Sequence, residues 1–242
     1  MSVAAIIPVK ALDGAKQRLS AALDQPARAA LVLWLLQRVI LAVQTSVQVD
    51  HLAVVSPDND VLARARHLGA TALRQHTGDL NIGLELGREW ALANGADTLL
   101  VLLGDLPLLR GADIAGMVKT QVKEQAARRP HHTSTGQVVL APDRAQTGTN
   151  ALLLRPPDCL PFAFGPDSCA RHRALAHQLG LGLSLYHRES IAFDVDWIAD
   201  LDELRASDMP LPPALRDSGE APTERTMLTK WHPSSQQVVR DR

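Results

Sequence analysis

T-L-L-V-L-L-G-D-L-P-L-L, residues 98–109, is the stretch that decides how this chain is read. Its first half is a continuous apolar run of strand length, the pattern of a strand covered on both faces in a parallel sheet. Gly104 then permits a sharp turn, and Pro107 pushes Leu106 toward extended geometry and halts the ladder. The acid in between, Asp105, falls at the carboxyl end of a central strand, where open α/β sheets bind their ligands. An aspartate there serves equally well as a local cap or turn residue, so its role rests on what else converges on that edge.

Working outward toward the N-terminus, strands and helices alternate. Residues 3–9, V-A-A-I-I-P-V, predict a buried first strand, residues 52–56 a second and residues 71–73 a short third. Between them, Pro26 sits near a helix start and the run to about Val47 has helical length, Pro57 and Asp58 open a helix ending near Gly69, and residues 80–94 form another. Strands separated by helices of this length imply βαβ crossovers and a mostly parallel sheet. Toward the C-terminus the rhythm changes. A helix over residues 112–127 and a polar loop over 128–136 precede two strands, 137–142 and 149–154, joined by a polar turn. A helix over 168–179, a strand over 182–187 and a short helix over 198–205 complete the pattern. The expected fold is α/β: a single domain over residues 1–205 with a mostly parallel sheet flanked by helices. Residues 206–242 turn to Pro, Ser, Thr, Gln and scattered charge without period, the composition of a disordered or loosely packed tail.

Composition removes several function classes. The net charge of −1 over 242 residues supplies no basic field for nucleic acid, and with 3% aromatic residues no broad stacking surface is expected. Two cysteines, Cys159 and Cys169, form neither a metal nor a disulfide pattern, and Met1 is not followed by a basic leader, so a cytoplasmic location is the expectation. The most apolar segment, residues 29–43, carries Gln37 and Arg38, is shorter than a bilayer span, and reads as a buried helix.

Four clusters carry chemistry. Lys10, Lys16 and Arg18 follow the first strand, where cations suit a triphosphate, although a solvated basic loop has the same look. Neither G-x-G-x-x-G nor G-x-x-x-x-G-K-[ST] is present. The D-V-D of Asp194 and Asp196 places two acids on one side of an extended segment, and together with Asp105 they would form a hard oxygen site for Mg²⁺. Asp196 has a second option as cap of the following helix. Thr147, Gly148, Thr149 and Asn150 offer hydroxyls, an amide and exposed N–H groups to an anion, or make an ordinary hairpin turn. Ser168 is placed to cap a helix whose first turn carries Arg171 and His172. His172 is as suited to packing or binding as to acting as a base.

Five motifs in this order, I-I-P-V-K-x-L-x-x-A-K-x-R-L, G-D-L-P-L-L, A-P-D-R-x-x-x-G-T-N-A-L, F-G-P-x-S-x-x-x-H and D-V-D-x-x-x-D-L, resemble the guanylyltransferases of coenzyme F-420 biosynthesis. The resemblance covers residues 3–201. It is similar also to the molybdenum-cofactor nucleotidyltransferases, whose glycine-rich first loop is P-V-K here. It implies a nucleotide-diphospho-sugar-transferase (GT-A-like) fold with an antiparallel acceptor-side insertion. The implied reaction moves GMP from GTP onto the phosphate of phosphoenolpyruvate, 3-phospho-D-glycerate or 2-phospho-L-lactate, releasing pyrophosphate. On the matching positions it implies catalytic roles for Lys10, Lys16, Arg18 and Asp105, and Mg²⁺ on Asp105, Asp194 and Asp196. Nucleotide contacts would come from Pro8, Val9, Lys10, Lys16, Asn81 and Gly83, the last two being equally suited to a helix cap. Acceptor contacts would come from Thr149, Gly165 and Ser168. The residues leave open another nucleotide such as CTP, a molybdopterin or sugar-phosphate acceptor, or a nucleotide-binding homologue without activity. A homodimer through the helix around Trp34 is equally open.

Overall fold

The structure, a computed structural model, describes residues 1–127 and 136–216. Seven strands form one sheet: β1 (Val3–Pro8), β2 (His51–Ser56), β3 (Thr71–Arg74), β4 (Thr98–Leu102), β5 (Gln137–Pro142), β6 (Thr149–Arg155) and β7 (Gly182–Leu185). Helices α1 (Gln25–Gln44), α2 (Asn59–His67) and α3 (Leu80–Ala93) make the early crossovers. They are followed by α4 (Gly111–Ala127), α5 (Ser168–Gln178), α6 (Glu189–Ala192) and α7 (Ile198–Ala206). The strand order is β3-β2-β1-β4-β6-β5-β7. Every pairing is parallel except those of β6, which runs antiparallel to both β4 and β5. The expected mostly parallel sheet is therefore present, and the antiparallel insertion is a strand within it: Leu99–Leu102 of β4 align with Leu154–Ala151 of β6.

The two faces of the sheet explain its unbroken apolar strands. Val3, Ala5, Ile7, Leu100 and Leu102 bury into one core layer with α1 and α4, while Ala4, Ile6, Leu99 and Val101 bury into the other with α3 and α5. Helix α3 lies close against the sheet because Gly87 has no side chain; a Cβ there would stand 2.8 Å from Ile6 Cδ1. Aspartates begin the first three helices. Asp24 accepts from Ala27 N, Asp58 from Asp60 N and Val61 N, and Asp79 from Asn81 N and Ile82 N.

Three expectations are corrected. Helix α1 has 20 residues, five more than the apolar run, and is long and apolar enough to cross a membrane by length and composition. It is nevertheless a core helix, because two of its faces are covered. Leu36, Val39 and Ile40 pack on the sheet, and Leu31 and Leu35 on a third cluster with Phe193, Leu201 and Leu204. That same cluster takes up part of the expected tail. Leu211 and Leu215 are buried in it, and Arg205 Nε and Arg216 Nε donate to the carbonyls of Leu215 and Leu211. Residues 207–216 therefore pack on the domain; their apolar side chains are spaced irregularly between prolines, which leaves no period to read. Residues 217–242, and the loop over 128–135, lie outside the described residues. Finally, neither Ser168 nor Asp196 is a helix cap. Asp167 precedes α5 with a left-handed φ of 55° and makes no side-chain cap, and Trp197 precedes α7.

Candidate active site

The sheet's carboxyl edge is built by where β1 and β4 stop. Beyond Pro8, Val9 N continues the ladder by donating to Val55 O at 2.9 Å. The chain then leaves in a loop of two 3-10 turns, Leu12–Gly14 and Gln17–Leu19, with Leu12 and Leu19 buried as its anchors. Leu12 N donates to Asp58 Oδ2 at 2.9 Å, and the buried Arg28 donates from Nε to Ala15 O at 3.2 Å. Lys16, pinned beside that carbonyl, adopts a left-handed φ of 50°. After β4, Gly104 has no positive φ; its missing side chain makes room instead, since a Cβ would stand 3.0 Å from Val9 Cγ2. The first loop and the Asp105 turn thus approach each other closely.

The basic and acidic clusters meet there. Lys16 Nζ lies 2.6 Å from Asp105 Oδ2 and 2.8 Å from Asp196 Oδ1. Arg18 Nη1 lies 3.3 Å from Asp196 Oδ2, and its guanidinium sits 4.4 Å from the centroid of the exposed Trp197 ring. Lys10 is exposed and adds its field at Asp196. Asp105, Asp194 and Asp196 each present a carboxylate oxygen, all within 4.8 Å of one another. The D-V-D segment is held by Asn150, Asp200 and Arg144, residues of the motifs whose supporting role the sequence alone does not show. Asn150 Nδ2 donates to Asp194 Oδ1 at 3.2 Å and to Ile191 O at 2.9 Å. Asp200 accepts from Asp196 N and Trp197 N, which closes α7 and leaves the Asp196 carboxylate to the site. Arg144 pairs with Glu189 and Glu203 on either side of the segment and stacks over Phe193 at 4.3 Å.

The electrostatics suit a cation. Burial, followed by the charge of Asp105, pushes Asp194 up to about 6, against the Asn150 hydrogen bond and Lys16. Burial also works to raise Asp196, but Lys16, Arg18 and Lys10 outweigh it and hold the group below its ordinary value. Burial works against the Lys16 ammonium, and the two aspartates reverse that and raise its pKa. Asp105 Oδ1 is buried and has no hydrogen-bond partner among the described residues. Such an orphaned lone pair, beside a partly desolvated second carboxylate, fits a hard divalent ion. One consequence is testable without any substrate. Asp194→Asn removes a charge that is disfavoured in the metal-free protein and keeps the oxygen that Asn150 needs. We expect its melting temperature at pH 7.5 without divalent metal to exceed wild type by roughly 2 °C, with most of the wild-type gain on adding Mg²⁺ lost. A fall in melting temperature in metal-free buffer would refute this account of the cluster.

The acceptor-side residues gather around the start of α5. Thr149 opens β6, with Oγ1 3.0 Å from His172 Nδ1. Thr147 O accepts Cys169 N, and Gly165 O accepts Ser168 N. Ser168 is buried as the first residue of α5. Gly165 has φ +120°, and a Cβ there would stand 3.1 Å from the Arg171 guanidinium. Asn81 is bound to this loop: Nδ2 donates to Phe164 O at 3.2 Å and Oδ1 accepts Phe164 N at 2.9 Å. It is neither a cap, which Asp79 provides, nor apart from the acceptor side. Gly83 is covered by Gln75, whose Oε1 stands 1.9 Å from where a Cβ would be.

Comparison with known proteins agrees with this geometry. The family described as guanylyl transferase CofC-like matches residues 3–207. The chain is 45% identical over 207 residues to a phosphoenolpyruvate guanylyltransferase of Rubrobacter xylanophilus, covering 86% of this chain and 95% of that protein. It is 33% identical over 205 residues to a 2-phospho-L-lactate guanylyltransferase of Methanothermobacter thermautotrophicus, covering 84% of each. Among solved structures it resembles a nucleotidyl transferase from a Methanothermobacter, with TM-score 0.57 and 16% identity over 84% of this chain and 96% of that one. It also resembles CMP:2-keto-3-deoxy-manno-octonic acid synthetase in complex with CTP, with TM-score 0.58 and 14% identity over 85% of this chain and 98% of that one. These two establish the nucleotidyltransferase fold, and the sequence matches establish the family: the chain belongs to the CofC-like guanylyltransferases and is a nucleotidyltransferase enzyme.

Proposed function

We propose that the protein transfers GMP from GTP to the phosphate of a small phosphorylated carboxylic acid, phosphoenolpyruvate first among the candidates, in the cytoplasmic synthesis of coenzyme F-420. The observation that carries the reading is the meeting of Lys16 and Arg18 with three convergent aspartates at the carboxyl edge of the sheet. The order of preference among acids follows the relatives: the proteins 45% and 44% identical to this chain are both named phosphoenolpyruvate guanylyltransferases. The family match argues against a molybdopterin or sugar-phosphate acceptor.

Asp105, Asp194 and Asp196 would hold Mg²⁺, which when bound neutralises charge on the reacting phosphates. The remaining chemistry belongs to the chain. A phosphate oxygen of the acid attacks Pα of GTP in line, and a new P–O bond forms. The bond from Pα to the α,β-bridging oxygen breaks, and its electron pair leaves with pyrophosphate. The nucleophile is already anionic, so positioning and charge stabilisation supply the catalysis, without a strong base. Lys10, Lys16 and Arg18 hold the triphosphate and stabilise the departing pyrophosphate, next to Pro8 and Val9. Gly83, with Asn81 at its side, borders the base and ribose. Thr149, Gly165 and Ser168 receive the acid.

The deciding measurement is pyrophosphate release with GTP and Mg²⁺ against phosphoenolpyruvate, 3-phospho-D-glycerate and 2-phospho-L-lactate separately. Release with phosphoenolpyruvate well above the other two is the expected result. Silence with all three, in protein that binds GTP, would overturn the proposal.

A further inference from the structure

His172 takes no part in the reaction above, yet its surroundings fix the polarity of its hydrogen bonds. The ring is fully buried on α5, with Phe164 edge-on to it at a centroid distance of 4.8 Å. The backbone N–H of Ala163 donates to Nε2 at 3.0 Å. Nε2 must therefore present its lone pair, and the neutral ring carries its one hydrogen on Nδ1. A doubly protonated ring would set N–H against N–H. Burial and the neighbouring Arg171 also oppose that form, lowering the pKa to about 4 against a weaker backbone hydrogen bond from the ring to Ser168. Nδ1 lies 3.0 Å from Thr149 Oγ1, so Nδ1–H donates and the hydroxyl oxygen accepts. The hydrogen of that hydroxyl then finds no acceptor among the described residues, although Thr149 is only 2% exposed. A hydroxyl normally chooses between donating and accepting by rotating; here the relay from Ala163 removes the choice.

We propose that His172 is a positioning residue: held in one tautomer by the Ala163 amide, it turns the Thr149 hydroxyl into an obligate donor to a carboxylate or phosphate oxygen of the acceptor acid. The inference rests on the guanylyltransferase reading and adds to it the direction of one hydrogen bond. An acceptor-only oxygen is the complement of such a donor, and a ligand hydroxyl gains nothing over water there. The relay also explains why a residue with no charge to offer lies fully buried behind the acceptor loops.

The test measures initial rates of pyrophosphate release, first against the acid at saturating GTP and then against GTP at saturating acid. His172→Phe keeps a packed ring without the Nδ1–H. It leaves the Thr149 hydroxyl in place but no longer held in its donating orientation. KM for the acid is expected to rise about threefold, the loss of one neutral hydrogen bond, while KM for GTP changes less than about twofold. Thr149→Val removes the donor itself and is expected to raise KM for the acid about tenfold, the loss of one hydrogen bond to a charged group. The double variant should add little beyond Thr149→Val, because His172 acts only through that hydroxyl. His172→Asn, whose amide N–H stands near the lost Nδ1–H, should recover part of the affinity. Equal losses toward acid and GTP, or an unchanged KM for the acid in an active His172→Phe protein, would overturn the inference and leave the reaction standing. If His172→Phe does not fold, Thr149→Ser against Thr149→Val decides: wild-type KM for the acid in both overturns it. A wild-type protein silent with all three acids overturns the inference together with the reaction.

Discussion

Asp105→Asn leaves a folded protein whose pyrophosphate release at saturating Mg²⁺ and GTP falls by about 10³-fold, equivalent to about 4 kcal/mol of transition-state stabilisation. Asn matches the shape of Asp, so packing at the end of β4 is preserved. What disappears is one charge from the set of three carboxylates within 4.8 Å of one another, and with it the lone pairs of the buried Oδ1 that has no hydrogen-bond partner among the described residues. Lys16 keeps its second partner, Asp196, so the first loop stays in place. The measurement is the rate together with the melting temperature and a calorimetric titration of Mg²⁺. Turnover within tenfold of wild type, in protein that still melts cooperatively, would remove Asp105 from the metal site.

Lys16→Met is the second large effect, and it divides differently. Met fills the volume of the stem but withdraws the ammonium that lies between Asp105 and Asp196. Those carboxylates then face each other and Asp194 without a counter-charge from this loop position. We expect the metal-free protein to lose about 2 kcal/mol of stability. The figure lies below that for a fully buried pair because the Asp196 side chain is 39% exposed. Mg²⁺ should restore part of the loss, since a divalent ion neutralises the same carboxylates. Turnover should fall about 10²-fold even with Mg²⁺ present, because the leaving pyrophosphate loses a fixed cation. Lys16→Arg should not rescue it fully: a planar fork does not replace a compact ammonium in a left-handed turn of this kind. A Lys16→Met protein with wild-type stability in the absence of metal would show that the ion pairs contribute nothing. Wild-type turnover would remove Lys16 from the triphosphate site.

Much of this was legible along the chain. Unbroken apolar runs at residues 3–8 and 98–102 carried the parallel sheet, because a strand buried on both faces has no polar alternation to confuse it. Pro26 and Asp58 announced two helix starts, while the caps Asp24 and Asp79 emerged only with the structure. The D-V-D spacing suggested Asp194 and Asp196 on one side, since an extended segment repeats every two residues, and an oxygen of each lies within 4.8 Å of the other. Other features carried no signal. Leu211 and Leu215 sit among prolines without period, so only their contact with α1 shows that they belong to the domain. Asp200 captured the cap role assigned to Asp196 because two N–H groups, at 2.9 and 2.7 Å, turned toward it when the chain bent into α7. Asn81, between cap and ligand in the sequence, was claimed by Phe164, a residue 83 positions away.

The division follows the range of the forces involved. What the sequence determined by itself is local or collective: strand and helix periods, the helix start at Asp58, the ordered motifs that identify the family, and the residue types its chemistry requires. What only the tertiary structure decided is which of those residues share a site and in what state. Lys16 meets Asp105 and Asp196 across 89 and 180 residues. Asp194 is pushed up to about 6, and His172 is held to one tautomer by a backbone amide on another segment. Desolvation and hydrogen-bond polarity depend on what packs against a group in space, and neighbours along the chain do not specify that.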